Sequence, residues 1–268
     1  MDISVVCIGD ELLDGRIRDR NTARLGTFLE HRGHRLVSGR TVPDDRTAIG
    51  SALDEATAKA SLVVVSGGLG PTDDDLTRQA AADWAGVQLQ LDQTVLQWLQ
   101  ELFEERGYDF TPNNRSQCLF PEGARVLKSE TGTAAGFVLE STPSEVWFLP
   151  GVPREFDWFL RSHLAERLED GATELPATAG MTFLGLGEST IETRISEATD
   201  EAKRRGIRVS FLADSPRVDV RLKGSDPEEV LEVRRQMLDE LGDWLVAEDG
   251  ESLAERLGRR LSEAGQTV

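Results

Sequence analysis

Two short segments constrain the fold of this chain more than any other feature. Ser61–Ser66 (SLVVVS) and Ile3–Ile8 (ISVVCI) are apolar, β-branched runs with no polar alternation. A strand that exposes one face alternates polar and apolar residues, so strands like these are read as buried on both faces of a parallel sheet. Amphipathic helical patterns of suitable length lie between and after them: Asn21–Arg32, Ala48–Ala60, Asp74–Gly86, Asp92–Gly107 and Phe156–Glu169. His34–Val42 reads as a further strand, closed by Pro43-Asp44-Asp45, and Phe137–Leu139 with Glu145–Leu149 as a hairpin around Ser141–Ser144. Strands alternating with helices predict an α/β fold built on a mainly parallel sheet.

The small and turn-forming residues of Glu169–Gly180 predict a boundary between two domains. Beyond it, Thr182–Leu186, Val209–Leu212 and Arg217–Leu222 read as strands, with helices over Glu188–Arg205 and Pro227–Leu241. The expected organisation is a large α/β domain over residues 1–172, a smaller α+β domain over 175–250 and a C-terminal helical segment over 251–268.

Charge and cysteine count exclude several classes. Acidic residues number 48 against 30 Lys and Arg, a formal net charge of −18 over 268 residues. Phosphate backbones and anionic membrane faces repel such a chain, so neither nucleic acid nor a membrane is an expected partner. No apolar run approaches the roughly 18–20 residues needed to cross a bilayer, and the N-terminus has no basic leader. Two cysteines, Cys7 and Cys118, can form neither a disulfide framework nor a four-cysteine zinc site. A cytoplasmic protein is expected.

Ligands of parallel α/β sheets bind beyond the carboxyl ends of the strands. Three segments occupy that position: Gly9–Asp14, Pro43–Asp45 and Gly67–Asp75. In the third, Gly67, Gly68 and Gly70 lie directly after a buried strand, where backbone N–H groups can converge on an anion, with Thr72 adding a hydroxyl. A helix following at once would aim its N-terminus at the same anion. The alternative is a glycine turn followed by an acidic helix cap. Asp73, Asp74 and Asp75 in succession repel one another and a phosphate alike, and a divalent cation would remove both conflicts. Glu11 and Asp44, after the first two strands, can reach the same point above the sheet. Asn114 and Arg115 suit ribose or base recognition, Gly132 and Thr133 allow close backbone approach, and Arg154 after Pro150-Gly151 can balance phosphate charge. Each of these loops also admits a purely structural turn.

Gly9-Asp10-Glu11-Leu12-Leu13, Gly67-Gly68-Leu69-Gly70-Pro71-Thr72 with Asp74-Asp75-Leu76-Thr77, Pro112-Asn113-Asn114-Arg115, Gly132-Thr133-Ala134 and Leu149-Pro150-Gly151 occur in this order. Over residues 1–170 this ordered set resembles the N-terminal domain of the CinA (competence/damage-inducible protein A) family, a domain similar to the molybdopterin-binding fold of MoaB and MogA. Residues 175–250, with Gly185-Leu186-Gly187-Glu188-Ser189, look like the middle domain of that family. The resemblance implies a three-layer αβα domain and a homodimer. It implies a hydrolase that splits ADP-ribose, or a related nucleoside diphosphate sugar, into AMP and ribose 5-phosphate with Mg²⁺, Mn²⁺ or Co²⁺, with or without potassium. Carried over, the acids map to Asp44 and Asp75 and the glycine cradle to Gly67, Gly68 and Gly70. The family's C-terminal nicotinamide-mononucleotide deamidase domain has no counterpart beyond a first helix, so that activity is not expected.

The expected site therefore has Asp44, Asp74 and Asp75, with Glu11, holding a cation. Gly67, Gly68, Gly70, Thr72, Gly132, Thr133, Pro150 and Gly151 surround a diphosphate, and Asn114, Arg115 and Arg154 position ribose and phosphate. Two competing expectations are a molybdopterin-binding protein of cofactor biosynthesis and a nucleotide-binding module without catalysis.

Overall fold

The computed structural model describes residues 1–140, 144–169, 175–249, 251, 253–263 and 265–266. The chain divides into two compact units, residues 1–173 and 174–268. Most of the predicted hairpin loop (141–143), part of the predicted boundary (170–174) and residues 252, 264, 267 and 268 of the expected C-terminal helical segment lie outside the described residues.

In the first unit the strands are β1 (Asp2–Ile8), β2 (Arg35–Val42), β3 (Leu62–Ser66), β4 (Leu89–Leu91), β5 (Leu119–Pro121), β6 (Arg125–Leu127), β7 (Gly136–Leu139) and β8 (Glu145–Leu149). The helices are α1 (Asp10–Leu13), α2 (Asn21–Glu30), α3 (Arg46–Thr57), α4 (Thr77–Ala85), α5 (Gln93–Glu105), α6 (Pro153–Phe159) and α7 (Ala165–Glu169). A six-stranded sheet has the order β2-β1-β3-β8-β7-β6. β2, β1, β3 and β8 run parallel, whereas β7 and β6 are antiparallel additions.

The all-apolar strands are explained by cover on both faces. Val63 and Val65 of β3 join Ile49 and Leu53 of α3, Ala80 and Ala81 of α4 and Leu99 of α5. The alternate residues Leu62 and Val64 join Leu25 and Leu29 of α2 and Phe156 and Phe159 of α6 on the opposite face. This is a three-layer αβα arrangement. β1 connects to β2 through α2 on one face, and β2 to β3 through α3 on the other. The β1/β3 junction is therefore where the winding reverses, and a crevice opens there.

Capping sets several boundaries. Asp45 Oδ1 accepts from the Ala48 N–H at 2.8 Å to start α3, and Asp92 Oδ1 from Thr94 at 2.8 Å and Val95 at 3.0 Å to start α5. Gly86, in the left-handed region at φ 69°, ends α4. Two helix expectations are corrected here, for Asp74–Gly86 and Phe156–Glu169. The helix predicted from Asp74 begins only at Thr77, with no side-chain cap, so Asp73–Asp75 belong to the preceding loop. Gly9–Asp14 contains the one-turn helix α1. The single helix expected over Phe156–Glu169 is divided by a π-helical turn, Leu160–Leu164, between α6 and α7.

The second unit pairs β9 (Ala177–Leu184), β10 (Arg208–Asp214), β11 (Arg217–Gly224) and β12 (Leu245–Glu248) in the order β10-β11-β9-β12, all antiparallel. Helices α8 (Glu188–Arg194), α9 (Ser196–Arg204) and α10 (Pro227–Leu241) bury Ile191, Ala198, Val233 and Met237 against one sheet face. α11 (Leu253–Glu263) follows β12. The expected helix Glu188–Arg205 is two helices that meet at Ile195. Strand β9 starts five residues earlier than the sequence pattern indicates, because its alternating small residues pair along β11. Among the described residues, no helix is long and apolar enough to cross a membrane.

Candidate functional site

A cavity of about 740 Å³ lies across the carboxyl ends of β1, β3 and β8. Its walls carry Glu11, Asp44, Gly67, Gly68, Gly70, Thr72, Asp74, Asp75, Thr133, Pro150 and Gly151 from the expected set. Gly132, Asn114, Arg115 and Arg154 are not part of the wall.

The backbones are closest where the winding reverses. A Cβ on Gly67, at φ 114°, would run into the Ile8 carbonyl oxygen, and one on Gly151 would stand 3.2 Å from Gly67 Cα. Glycine is required for the ends of β1, β3 and β8 to meet this closely. Asn21, at the start of α2, holds the junction. Its Nδ2 donates to Ser66 Oγ and to the Gly151 carbonyl, both at 2.8 Å, and the side chain is buried.

The bend after β3 is ordered by its own chain. The Thr77 hydroxyl donates to the Gly67 carbonyl at 2.8 Å and the Thr77 N–H to the Gly68 carbonyl at 3.3 Å. Arg78 donates through Nη2 to the Leu69 carbonyl at 2.8 Å and through Nη1 to the Gly70 carbonyl at 3.4 Å. Asp75 accepts from the Gly70 N–H at 2.7 Å, the Thr72 N–H at 2.9 Å and the Thr72 hydroxyl at 2.6 Å.

These bonds correct the expected roles of the loop. The N–H groups of Gly70 and Thr72 are committed to Asp75, and that of Gly67 to the Leu149 carbonyl at 3.1 Å. Within the bend 67–70, Gly68 and Leu69 are left as the N–H groups with no intramolecular acceptor among the described residues; farther along the loop those of Asp73 and Asp74 are open as well. The N–H of Thr77, the first residue of α4, is turned to Gly68 rather than offered to a ligand.

The acids divide into different tasks. Asp45 caps α3, whereas its neighbour Asp44 lines the cavity and accepts from the Asp10 N–H at 3.0 Å. Burial raises the Asp44 carboxyl above its ordinary value, opposed by that hydrogen bond and reinforced by the charges of Asp10, Glu11 and Asp75. Among the described residues no three His, Cys, Asp or Glu side chains converge as ligands of one ion. The expected four-acid cation cage is thus not assembled, and Asp75 is engaged three times by the loop it closes. Asp44 with Glu11 still suits a cation shared with substrate, since Mg²⁺ is commonly held by one or two carboxylates together with phosphate oxygens.

The remaining differences have local causes. Asn114 accepts from Thr111 N–H at 2.9 Å in a capping box that opens the 3₁₀ turn Pro112–Cys118, and Arg115 on the same turn is exposed. Asn114 supports the wall indirectly, donating at 3.3 Å to Gln117, which does line the cavity. Arg154 points from the exposed side of α6. A Cβ on Gly132 would occupy the place of the Glu155 carboxylate, so this glycine makes room for a cavity-lining acid. Burial raises the Glu155 carboxyl, opposed by the charges of Arg106 and Arg154.

The motifs gave no role to Asn21 or to the arginines Arg16, Arg18 and Arg20, which line the cavity; Gln117 and Glu155, which line it too, stand at the ends of motif loops in which Asn114, Arg115 and Arg154 were the expected contacts. Three arginines within five residues of so acidic a chain were a legible signal. Cys7 also reaches the wall, but burial pushes its thiol up to about 12, which leaves it without thiolate character at neutral pH.

The family profile "Probable molybdopterin binding domain" matches residues 4–170. A CinA-like protein of Citrifermentans bemidjiense is 34% identical over 274 residues, an alignment that takes in 100% of this chain and 65% of the relative. A CinA-like protein of Geobacter sulfurreducens is 36% identical over 276 residues, covering 100% of this chain and 66% of the relative. The chain thus spans about two thirds of the length of these curated relatives. Among solved structures, the protein CinA with unknown function from Thermoplasma acidophilum is 34% identical, with a TM-score of 0.57, covering 62% of this chain and 97% of that one. With its fold, its glycine bend and these matches taken together, the chain belongs to the CinA family and carries a domain of the molybdopterin-binding type.

Proposed function

We propose that the first unit is a cation-assisted hydrolase of ADP-ribose or a related nucleoside diphosphate sugar. The observation that carries this reading is the juxtaposition, in one cavity, of a glycine bend with two uncommitted N–H groups and an acid cluster centred on Asp44. The N–H groups suit a non-bridging phosphate oxygen, and Arg16, Arg18 and Arg20 on the wall offset the charge of an anionic ligand. Asp44 and Glu11, with Asp74 at the rim, would hold Mg²⁺, Mn²⁺ or Co²⁺ against the diphosphate. When bound, the cation supplies charge neutralisation and an acidified water. In the reaction water adds to one phosphorus, the bridging P–O bond breaks, and AMP and ribose 5-phosphate leave. The glycine-bend N–H groups stabilise charge on the phosphoryl oxygens.

The test is incubation of the purified protein with ADP-ribose and each cation, with AMP followed by chromatography. AMP formation that is lost in Asp44→Ala supports the assignment. No AMP with any of the three cations, or full turnover in Asp44→Ala, overturns it.

A second reading, binding of molybdopterin, has one specific support: the description of the matching family profile. Calorimetric titration separates the two. Molybdopterin binding without ADP-ribose cleavage favours the second reading, and ADP-ribose binding without turnover favours a module that binds nucleotides and does not cleave them.

A further inference from the structure

We propose that Thr77 is a positioning residue that aims the N–H groups of Gly68 and Leu69 into the cavity as a two-donor site for one diphosphate oxygen, with Arg78 holding the next two carbonyls of the bend. The inference rests on reading this cavity as a phosphate site and names the residues that set its geometry.

The first two residues of α4 hold four consecutive carbonyls of the bend. Those of Gly67 and Gly68 accept from the hydroxyl and the N–H of Thr77, and those of Leu69 and Gly70 accept from the guanidinium of Arg78. In a trans peptide the N–H points opposite to the C=O. The carbonyl of Gly67 shares its peptide plane with the N–H of Gly68, and that of Gly68 shares its plane with the N–H of Leu69. Turning both carbonyls toward Thr77 turns both N–H groups away from α4, on the side where residues 67–70 line the cavity. Gly68 at φ 66° makes the succession possible, and its missing Cβ leaves the space that the Thr77 hydroxyl fills. Successive N–H groups around such a residue form an anion-binding concavity.

Arg78 also stands over the Phe120 ring, 5.6 Å from its centroid. Thr77 is fully buried and Arg78 is 4% exposed, and neither side chain lines the cavity. Burial lowers the Arg78 guanidinium to about 10, so it remains charged at neutral pH, balanced in part by Asp75. A buried cation is costly to keep unless its donors are used. Here its two Nη groups fix the carbonyls of Leu69 and Gly70.

The test uses the full chain and inorganic pyrophosphate with Mg²⁺ as the probe, followed by calorimetry and by ¹⁵N–¹H shifts of Gly68 and Leu69. Thr77→Val keeps the volume and removes the hydroxyl donor, Thr77→Ser restores it, and Arg78→Lys keeps the charge but not the forked donor. The expected result is that pyrophosphate shifts the Gly68 and Leu69 amides, that Thr77→Val weakens binding on the order of tenfold, and that Arg78→Lys, acting on the next two peptide planes, weakens it less. Thr77→Ser should bind within about threefold of the parent. If the parent turns over ADP-ribose, Thr77→Val is expected to lower kcat as well as raise KM, since the two N–H groups also stabilise charge on the phosphoryl oxygens. A merely structural role would lower Tm and leave affinity unchanged. Pyrophosphate affinity in folded Thr77→Val equal to that of the parent, or no pyrophosphate binding by the parent, overturns the inference. Pyrophosphate binding that depends on Thr77 without ADP-ribose cleavage instead overturns the hydrolase reading and leaves this inference standing.

Discussion

The N–H of Asp10 donates to the carboxylate of Asp44 at 3.0 Å and so ties together the ends of two adjacent parallel strands, β1 and β2. This single bond brings an acid from a loop that would otherwise only lead into α3 to the edge of the cavity. It also partly offsets the burial that raises the Asp44 carboxyl.

Asp44→Asn should therefore stabilise the protein while impairing its function. A carboxyl raised above its ordinary value in the folded state is disfavoured when ionised. It withholds stability at neutral pH and returns it as pH falls through the carboxylate range. The variant is expected to melt higher than the parent at pH 7, with the gap closing as pH falls toward the ordinary Asp value of about 3.9. Paired thermal melts across pH measure this. Added Mg²⁺ should raise the Tm of the parent more than that of the variant.

Removing Asp75 should act through the loop. Its carboxylate accepts three bonds from Gly70 and Thr72, so Asp75→Ala is expected to cost about 2 kcal/mol in urea unfolding. Amide exchange should accelerate at Gly70 and Thr72, and any turnover should fall with it.

Asn21→Ala removes the bonds from α2 to Ser66 and Gly151 inside a buried junction. A loss of about 1–3 kcal/mol is expected by denaturant titration. Asn21→Asp should be worse than alanine at neutral pH, because it places a carboxylate against the acceptor oxygen of Gly151.

Two glycine substitutions separate backbone clash from side-chain clash. Gly67→Ala drives a Cβ into the Ile8 carbonyl at φ 114° and is expected to cost at least about 1–3 kcal/mol. Gly132→Ala meets only the end of the Glu155 side chain, which can swing aside. Its Tm is expected to stay within a few degrees of the parent, with ligand affinity changed, as calorimetry would show.

Much of the architecture was legible in the chain. Ile3–Ile8 and Ser61–Ser66 announced two-sided burial, and the turn residues of Gly9, Pro43 and Gly67 marked the strand ends where the cavity opens. Helix starts were less legible. Asp45 and Asp92 cap as their type suggests, but Asp73–Asp75 do not, because the bend needs Asp75 to close it. The short strands β4, β5, β6 and β12 went unread, since three or four residues carry too little periodicity and are held by their partners.

The sequence alone determined the layers, the place of the cavity and the chemical character of its wall, because apolar runs and turn residues act on their immediate neighbours. It could not decide which of two adjacent acids caps a helix and which enters the cavity. Nor could it decide which N–H groups of a glycine-rich bend stay open to a ligand. Those outcomes depend on donors such as Thr77 and Arg78 and on acceptors such as Asp75. Only the folded geometry assigns them to the carbonyls and amides they satisfy.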